Sequence, residues 1–323
     1  MLQHRLVCYT MFTLFFSGRD FAPKAIINDI NIQDFLQNCF ISVIKHFAGR
    51  IHAAGELENT TIIGWESFNE PHYGFAGNLD LNKLMASQQI RLGTVPTGFQ
   101  SMTLGSGLPE TVDYFEFSAF GPVKKGTKRV DPKGMKVWAP PDVNDFKYGW
   151  KRSPDWKLGE CIWAQHGVWN PSTGELMRPD YFAKTPQGDV INDELWMQRY
   201  LLPHVKAYID AIRKTHKEAM ILLQPPVWFI PPKLDPESLG GRVVYSPHFY
   251  DGLTLMQKKW YSNLYLALIF RKWWNVDGLG YLRGKYLTPF QALRLGATAI
   301  RNCFREQLKD MVNEGINQIG ISI

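Results

Sequence analysis

A glutamate stands at the end of an apolar run in the first quarter of the chain. The stretch Ile62–Pro71, IIGWESFNEP, closes with Asn69 and Glu70 before its proline. Polar residues often end a strand by forming a turn, so one interpretation is a strand that stops at Asn69. The chemical interpretation makes Glu70 a general acid, because aromatic neighbours desolvate a carboxyl group and raise its pKa. Three such neighbours are close in sequence: Trp65, Phe68 and Tyr73.

Further polar and aromatic side chains follow later apolar runs. Gln224 and Trp228 lie within the run 219–229, and His248 and Tyr250 lie at the end of the run 242–251. In α/β folds with parallel strands, active sites gather at the carboxyl ends of the strands. These positions, with Gln318 near the C-terminus, are therefore candidates for catalysis or binding.

The elements that must position these residues alternate between helix and strand. Residues 31–54 carry apolar side chains at helical spacing behind an Asn or Asp cap. Residues 195–217 predict a second helix, with a kink or break at Pro203. The other predicted elements are strands at 60–69, 219–229 and 242–251, a helix at 295–315 and a terminal strand at 316–323. This order predicts an α/β fold with a parallel sheet, and region 72–193 is predicted to be a long loop that is functional or contains small elements.

Composition narrows the classes of function. The chain has 323 residues, a 45% hydrophobic content and a net charge of +6, with its Lys and Arg scattered rather than run together. That scatter does not indicate nucleic-acid binding, although it allows a mild attraction to anionic membranes. The four widely spaced cysteines favour a reducing compartment, and the eight histidines form no HExxH motif. No metal or other cofactor is predicted.

Two segments bear on localisation. The N-terminus places Arg5 before an apolar stretch, as a signal peptide does, but polar residues interrupt the stretch and no small-residue cleavage site follows. No window is long enough to span a bilayer. Residues 260–274, with aromatic ends and the pair Arg271 and Lys272, suit a membrane interface or an amphipathic helix packed on the domain. We expect an intracellular protein, cytoplasmic or vacuolar, that allows peripheral membrane contact.

Four segments together carry a resemblance to a known family. The chain resembles the fungal branch of glycoside hydrolase family 5, whose members are similar to endoglycoceramidases and act on glucosylceramide or ergosteryl glucoside. The four segments are TMFTLFFSGRDFAP, GWESFNEPHYG, GECIWAQHGVW and YSPHFYD. The resemblance implies a (β/α)₈ barrel, a retaining mechanism and a glycolipid substrate. It also implies that residues 1–323 form a partial catalytic domain, with 72–193 inserted after strand four.

The resemblance also implies roles for individual residues. Glu70 would be the acid/base at the end of strand four, and Asn69 would bind the sugar 2-hydroxyl. His248 would line the sugar subsite, and the Tyr250 hydroxyl would steady the nucleophile. Stacking contacts with sugar or lipid are implied for three further residues, which fit equally well as loop core: Trp228, His166 and Trp169.

The chain departs from the family pattern at its C-terminal end. A retaining enzyme needs a second carboxylate about 5 to 5.5 Å from the first. The run INQIGISI places Gln318, or in another alignment Ile321, where the family has its nucleophile glutamate. An amide cannot replace that carboxylate, so we expect very low or no glycosidase activity. By the resemblance, barrel strands four to seven are present while strands one to three and eight are missing, as in a truncated or degenerate copy.

Two functions of different classes remain. The first is a retaining glycosidase that releases glucose from ergosteryl glucoside or glucosylceramide, with doubtful activity. The second is a catalytically inactive glycolipid-binding protein that keeps the sugar site without the nucleophile. The aglycone depends on loop shape, which this sequence does not fix.

Overall fold

The computed structural model describes residues 2–85, 91–118, 121–227, 229–251 and 291–320, together with 255, 258, 274–276 and 285. The chain forms two compact units. Unit 1 consists of Met1–Thr61 and His72–Lys217, and unit 2 consists of Ile62–Pro71 and Glu218–Ile323.

The described helices and strands are as follows. The helices are α1 Leu2–Phe21, α2 Ile32–Ala53, α3 Gly98–Gly105, α4 Ile162–Gln165, α5 Asp193–Trp196, α6 Leu202–Ile212 and α7 Ala297–Ile319. The strands are β1 Ile26–Ile27, β2 Ile30–Asn31, β3 Gly64–Glu66, β4 Gly93–Val95, β5 Glu110–Ser118, β6 Gly121–Val130, β7 Trp169–Asn170, β8 Glu175–Leu176, β9 Met220–Leu223, β10 Val243–Tyr245, β11 Trp274–Val276 and β12 Leu293–Leu295. The chain is therefore an α/β protein, as predicted.

Helices and an antiparallel sheet build unit 1. The predicted helix at 31–54 is confirmed as α2, and the side chain of its cap Asn31 accepts a hydrogen bond from the Gln33 N–H. Helix α1 contributes Leu6, Leu14 and Phe16 to the core. Strands β4, β5 and β6 form an antiparallel sheet in that order, so region 72–193 contains elements of its own.

The predicted break near Pro203 takes the form of a π-helical turn. Residues Met197–Leu201 form this turn between α5 and α6, and Pro203 lies in the first turn of α6. Proline lacks an N–H group and clashes with the carbonyl group four residues earlier, here that of Arg199. A wider turn at Arg199 relieves that clash, so the chain remains helical through the proline.

Unit 2 contains the parallel sheet that the sequence predicts. Its strand order is β10-β9-β3, and both pairs are parallel. Trp65 of β3 is in register with Ile221 of β9, which is in register with Val243 of β10. The carboxyl ends of the three strands consequently meet at one edge. A short antiparallel pair, β11 with β12, also belongs to this unit.

The predicted terminal strand is wrong over residues 316–319, which form the last turn of α7. Residues four apart along α7 are buried, and this spacing continues into the segment: Cys303, Gln307, Met311, Gly315 and Ile319. A helix packed by that face extends until Gly320, whose φ of 67° ends it in the left-handed conformation. The helix is therefore longer than predicted.

Two predictions about membranes have different outcomes. Within the described ranges, none of the helices combines the length and the apolar character needed to cross a bilayer. The interfacial segment predicted at 260–274 lies outside the described residues, apart from the backbone of Trp274.

Candidate active site

The backbone of Glu70 is fixed at the carboxyl edge of the parallel sheet. Glu70 lies four residues beyond the end of β3 and has a φ of 51°, in the left-handed region that non-glycine residues rarely adopt. Its N–H donates a hydrogen bond of 2.9 Å to Oε1 of Gln224, the residue that follows β9. Because β3 and β9 are parallel, the two residues leave the sheet side by side.

The carboxylate of Glu70 is bound by the segment that follows β10. His248 Nδ1 lies 2.8 Å from Glu70 Oε1, and the Tyr250 hydroxyl donates a hydrogen bond to the same oxygen. The side chains of Glu70 and His248 are about one-third exposed, at 34% and 29%. Three parallel strands thus converge on one solvent-accessible carboxyl group.

The electrostatics of Glu70 differ from the sequence-based expectation. Burial alone raises the pKa of Glu70, but the hydrogen bonds from Tyr250 and His248 and the charge of His248 outweigh it, so the pKa is lowered. The predicted rise was therefore wrong. The pKa of Tyr250 is raised, chiefly by its hydrogen bond to Glu70, so the phenol stays protonated and keeps donating. In this arrangement Glu70 is a carboxylate at neutral pH.

A second carboxyl group ends β3 itself. Glu66 Oε1 accepts a hydrogen bond of 2.8 Å from the Ser246 hydroxyl, and Ser246 directly follows β10. Sequence reasoning missed this pair. The signal was present, because Glu66 closes an apolar run and Ser246 follows another.

Gln224 retains an unused donor beside Glu70. Its side chain is 4% exposed, and no acceptor for its Nε2 lies among the residues that the structure describes. A buried amide N–H without a partner is costly, and such groups are often satisfied by a ligand or by water. The amide therefore fixes Glu70 through its oxygen, while its nitrogen has no described partner.

The remaining candidates of unit 2 are placed as follows. Asn69 is exposed next to Glu70. Gln318 lies in the last turn of α7 rather than at the end of a strand, and its carbonyl oxygen accepts a 2.6 Å hydrogen bond from the Leu234 N–H. Trp228 lies outside the described residues.

His166 and Trp169 are engaged inside unit 1. His166 Nδ1 lies 2.7 Å from the Ile162 carbonyl oxygen, and Nε2 accepts a 3.2 Å hydrogen bond from the Lys24 N–H. Burial, reinforced by the Lys24 charge, lowers the pKa of His166, which stays neutral. Trp169 is 1% exposed and its Nε1 donates to Cys161 Sγ, so its ring faces are covered by protein. Both residues have the contacts of loop core, the alternative that the sequence left open.

No cluster for a metal ion is present in the described part of the chain, where no three His, Cys, Asp or Glu side chains are grouped suitably. The described side chains at the sheet edge offer carboxylate, imidazole, phenol and amide groups.

Comparison with known proteins gives several relatives. No family model matches the chain. A glucosylceramidase of Aspergillus fumigatus is 50% identical over 98% of the chain, and an ergosteryl-beta-glucosidase of Saccharomyces cerevisiae is 37% identical over 98%. The crystal structure of Cryptococcus neoformans sterylglucosidase 1 superimposes with a TM-score of 0.89 at 39% identity, covering 98% of this chain. The chain spans 41%, 40% and 42% of these three proteins, so it is similar to about two-fifths of each.

Proposed function

We propose that this chain carries the acid/base part of a retaining β-glucosidase site for glycolipid glucosides, of the glycoside hydrolase family 5 type. In this proposal β3, β9 and β10 are strands four to six of a (β/α)₈ barrel, and region 72–193 is an insertion after strand four. The names and the similarity of the relatives support the substrate class, a glucoside of a sterol or of ceramide.

The observation that carries the proposal is the carboxylate of Glu70, which Tyr250 and His248 bind at the carboxyl edge of a parallel sheet. Parallel α/β folds bind their substrates at this edge. The exposed Asn69 is the proposed partner of the sugar 2-hydroxyl, His248 lines the sugar subsite and the Gln224 amide is a further donor. Together these groups can hold several sugar hydroxyls.

Turnover by this chain is proposed to be very slow, for two reasons. Retention requires a second carboxylate that attacks the anomeric carbon, and the family resemblance implies the amide Gln318 at that position. In addition, a nearby negative charge normally helps to keep the acid protonated, whereas here two donors lower the pKa of Glu70. Without a protonated Glu70, no proton is available for the departing oxygen.

The lowered pKa of Glu70 favours a second candidate, a glycolipid-binding protein without turnover. An ionised Glu70 accepts hydrogen bonds from sugar hydroxyls, the exposed Tyr250 hydroxyl can accept a further one, and the Gln224 amide is a donor. Such a site binds a glucoside head group and leaves its glycosidic bond intact.

A fluorogenic β-glucoside separates these candidates. We expect the wild type to show little turnover, and we expect Glu70→Gln to remove whatever turnover is seen, because the amide has no proton to donate. Gln318→Glu would raise turnover if residue 318 reaches the substrate once it is bound. The proposed role of Glu70 would be contradicted if the wild type hydrolyses the substrate well and the Glu70→Gln variant is equally active. The matching α-glucoside is the control for stereochemistry.

A further inference from the structure

Strand β6 and the turn after it concentrate positive charge on one edge of unit 1. Six cationic residues fall between positions 124 and 136, and Asp131 is the single acidic residue among them. We call this group the basic edge: Lys124, Lys125, Lys128, Arg129, Lys133 and Lys136. β6 is an outer strand of its sheet, and residues 123–129 are all exposed. The even scatter of Lys and Arg expected from the sequence does not hold here.

Half of the basic edge is occupied by contacts within the protein. Lys124 Nζ lies 2.7 Å from Asp113 Oδ1. Lys128 Nζ lies 3.6 Å from the centroid of the Tyr114 ring. Lys136 Nζ donates a 3.2 Å hydrogen bond to the Gly159 carbonyl oxygen. The other three, Lys125, Arg129 and Lys133, have no ion pair with any of the described residues. Their charge is available to a partner.

Apolar groups adjoin the basic edge. Met135 is 62% exposed in the turn after β6, between Lys133 and Lys136. Two residues further on, Val137 and Trp138 begin one wall of an apolar cavity of about 190 Å³, and Leu6 of α1 lies on another wall. An exposed apolar side chain among cations, next to an apolar cavity, is the composition of surfaces that bind at the head-group boundary of a bilayer.

We propose that the basic edge docks this chain on an anionic lipid bilayer, with the cations at the head groups and Met135 at the acyl boundary. An anionic bilayer is the proposed partner because its charge is complementary to that of the basic edge. Each Lys or Arg near an anionic membrane adds to the attraction between protein and lipid. A nucleic acid would match the charge, but its phosphate backbone offers no apolar surface for the exposed Met135 side chain. The docking surface lies wholly in unit 1, and its test does not depend on the glucosidase proposal.

Protection of an edge strand is the structural alternative, because charged side chains on an outer strand prevent pairing with other chains. Charge of either sign provides this protection, whereas an anionic membrane attracts only cations. Reversing the charges therefore separates the two roles. The variant carries Lys125→Glu, Arg129→Glu and Lys133→Glu, which keeps the edge charged.

The experiment is co-sedimentation of the purified chain with phosphatidylcholine vesicles that contain phosphatidylserine. We expect the wild type to bind these vesicles and to dissociate from them at high salt. It should not bind vesicles of pure phosphatidylcholine. The triple reversal should weaken binding by at least about hundredfold, since loss of each cation costs about fivefold and the new carboxylates are repelled by the anionic lipid. A control variant changes the net charge equally at exposed positions outside the basic edge: Lys45→Glu, Lys206→Glu and Lys214→Glu. It should bind nearly as well as the wild type.

A second variant, Met135→Ser, tests the apolar contact and should weaken binding several-fold without changing the salt dependence. Circular dichroism confirms that each variant is folded. The proposal is overturned if the triple reversal binds as the wild type does, if phosphatidylserine makes no difference, or if a DNA duplex binds more tightly than the vesicles. A soluble fluorogenic glucoside reports on the proposed catalytic site separately, so failure of one proposal leaves the other testable.

Discussion

Glu70 of unit 2 and His204 of unit 1 are titratable groups that are held in opposite ways. In unit 2, Glu70 is partly exposed and its carboxylate is bound by His248 and Tyr250. In unit 1, His204 is 0% exposed among the rings of Phe15, Phe16 and Phe40, and neither of its ring nitrogens has a partner among the described residues.

The pKa shifts of two unit 1 histidines and of Glu70 consequently have different causes. Burial lowers the pKa of His204 and that of His72 to about 4, whereas hydrogen bonds lower the pKa of Glu70 against the effect of burial. His204 has a large shift but no access for a substrate, because it is 0% exposed. A perturbed pKa therefore marks a candidate site only when exposure and bonding partners accompany it.

The largest effect that we predict from this comparison is acid destabilisation through unit 1. A histidine whose folded pKa is lowered contributes stability that is complete above its unfolded pKa, about 6.5, and that is lost as the pH falls towards its folded value. Between about pH 7 and pH 5, His72 and His204 should each cost about 2 kcal/mol of unfolding free energy. Urea unfolding at the two pH values measures the loss.

The variant His204→Leu should remove about half of this loss, because leucine is apolar and cannot be protonated. Its matched control, His46→Leu on the exposed face of α2, should leave the pH dependence unchanged. An unaltered dependence in His204→Leu would show that the buried imidazole is not the group that titrates.

A smaller effect is predicted for Gln224, which links β9 to the backbone of Glu70. Gln224→Met removes the acceptor of the Glu70 N–H and should cost about 1 kcal/mol, since the loss of the unpartnered Nε2 offsets part of the penalty. The pKa of Glu70 should rise, because its carboxylate is held less firmly against Tyr250 and His248. Urea unfolding and carbon-13 NMR of the carboxyl group test both expectations.

The exposed Gln198 supplies the control for this change. Gln198→Met should alter stability by a few tenths of a kcal/mol, as is usual for surface positions. If both methionine variants behave alike, Gln224 does not position Glu70.

The smallest effect on stability is expected from Tyr250→Phe. Tyr250 is 40% exposed, so stability should change little, but the pKa of Glu70 should rise because a donor to its carboxylate is lost. Carbon-13 NMR of the Glu70 carboxyl group against pH measures the change. Tyr148→Phe, at an exposed position of unit 1, should leave that titration where it is. A downward shift of the pKa in Tyr250→Phe would contradict the described bonding.

The elements of unit 2 show how far a sequence can be interpreted. The strands around Trp65, Ile221 and Val243 were predictable because short apolar runs bounded by polar residues are typical of buried strands. The segment 316–319 was not, since two isoleucines three residues apart fit a helix face as well as a strand. The structure shows a helix, in which Ile319 is buried on the same helix face as Cys303.

Sequence position marks the candidate residues but does not reveal their bonding. Asn69, Glu70, Gln224, His248 and Tyr250 all follow apolar runs, so they were candidates by position. The pKa of Glu70 depends on partners 178 and 180 residues away, and its backbone is fixed by a residue 154 positions away. Aromatic residues near in sequence predicted the wrong direction, because the long-range hydrogen bonds outweigh burial.

One measurement tests the central claim most directly, that Glu70, His248 and Tyr250 together form a sugar site. NMR signals of the Glu70 carboxyl carbon and of the His248 and Tyr250 rings are followed while octyl β-glucoside is added. Octyl alcohol is the control for binding of the alkyl group. We expect all three signals to move together and to saturate with the glucoside alone. Three signals that stay in place while the glucoside binds elsewhere on the protein would contradict it.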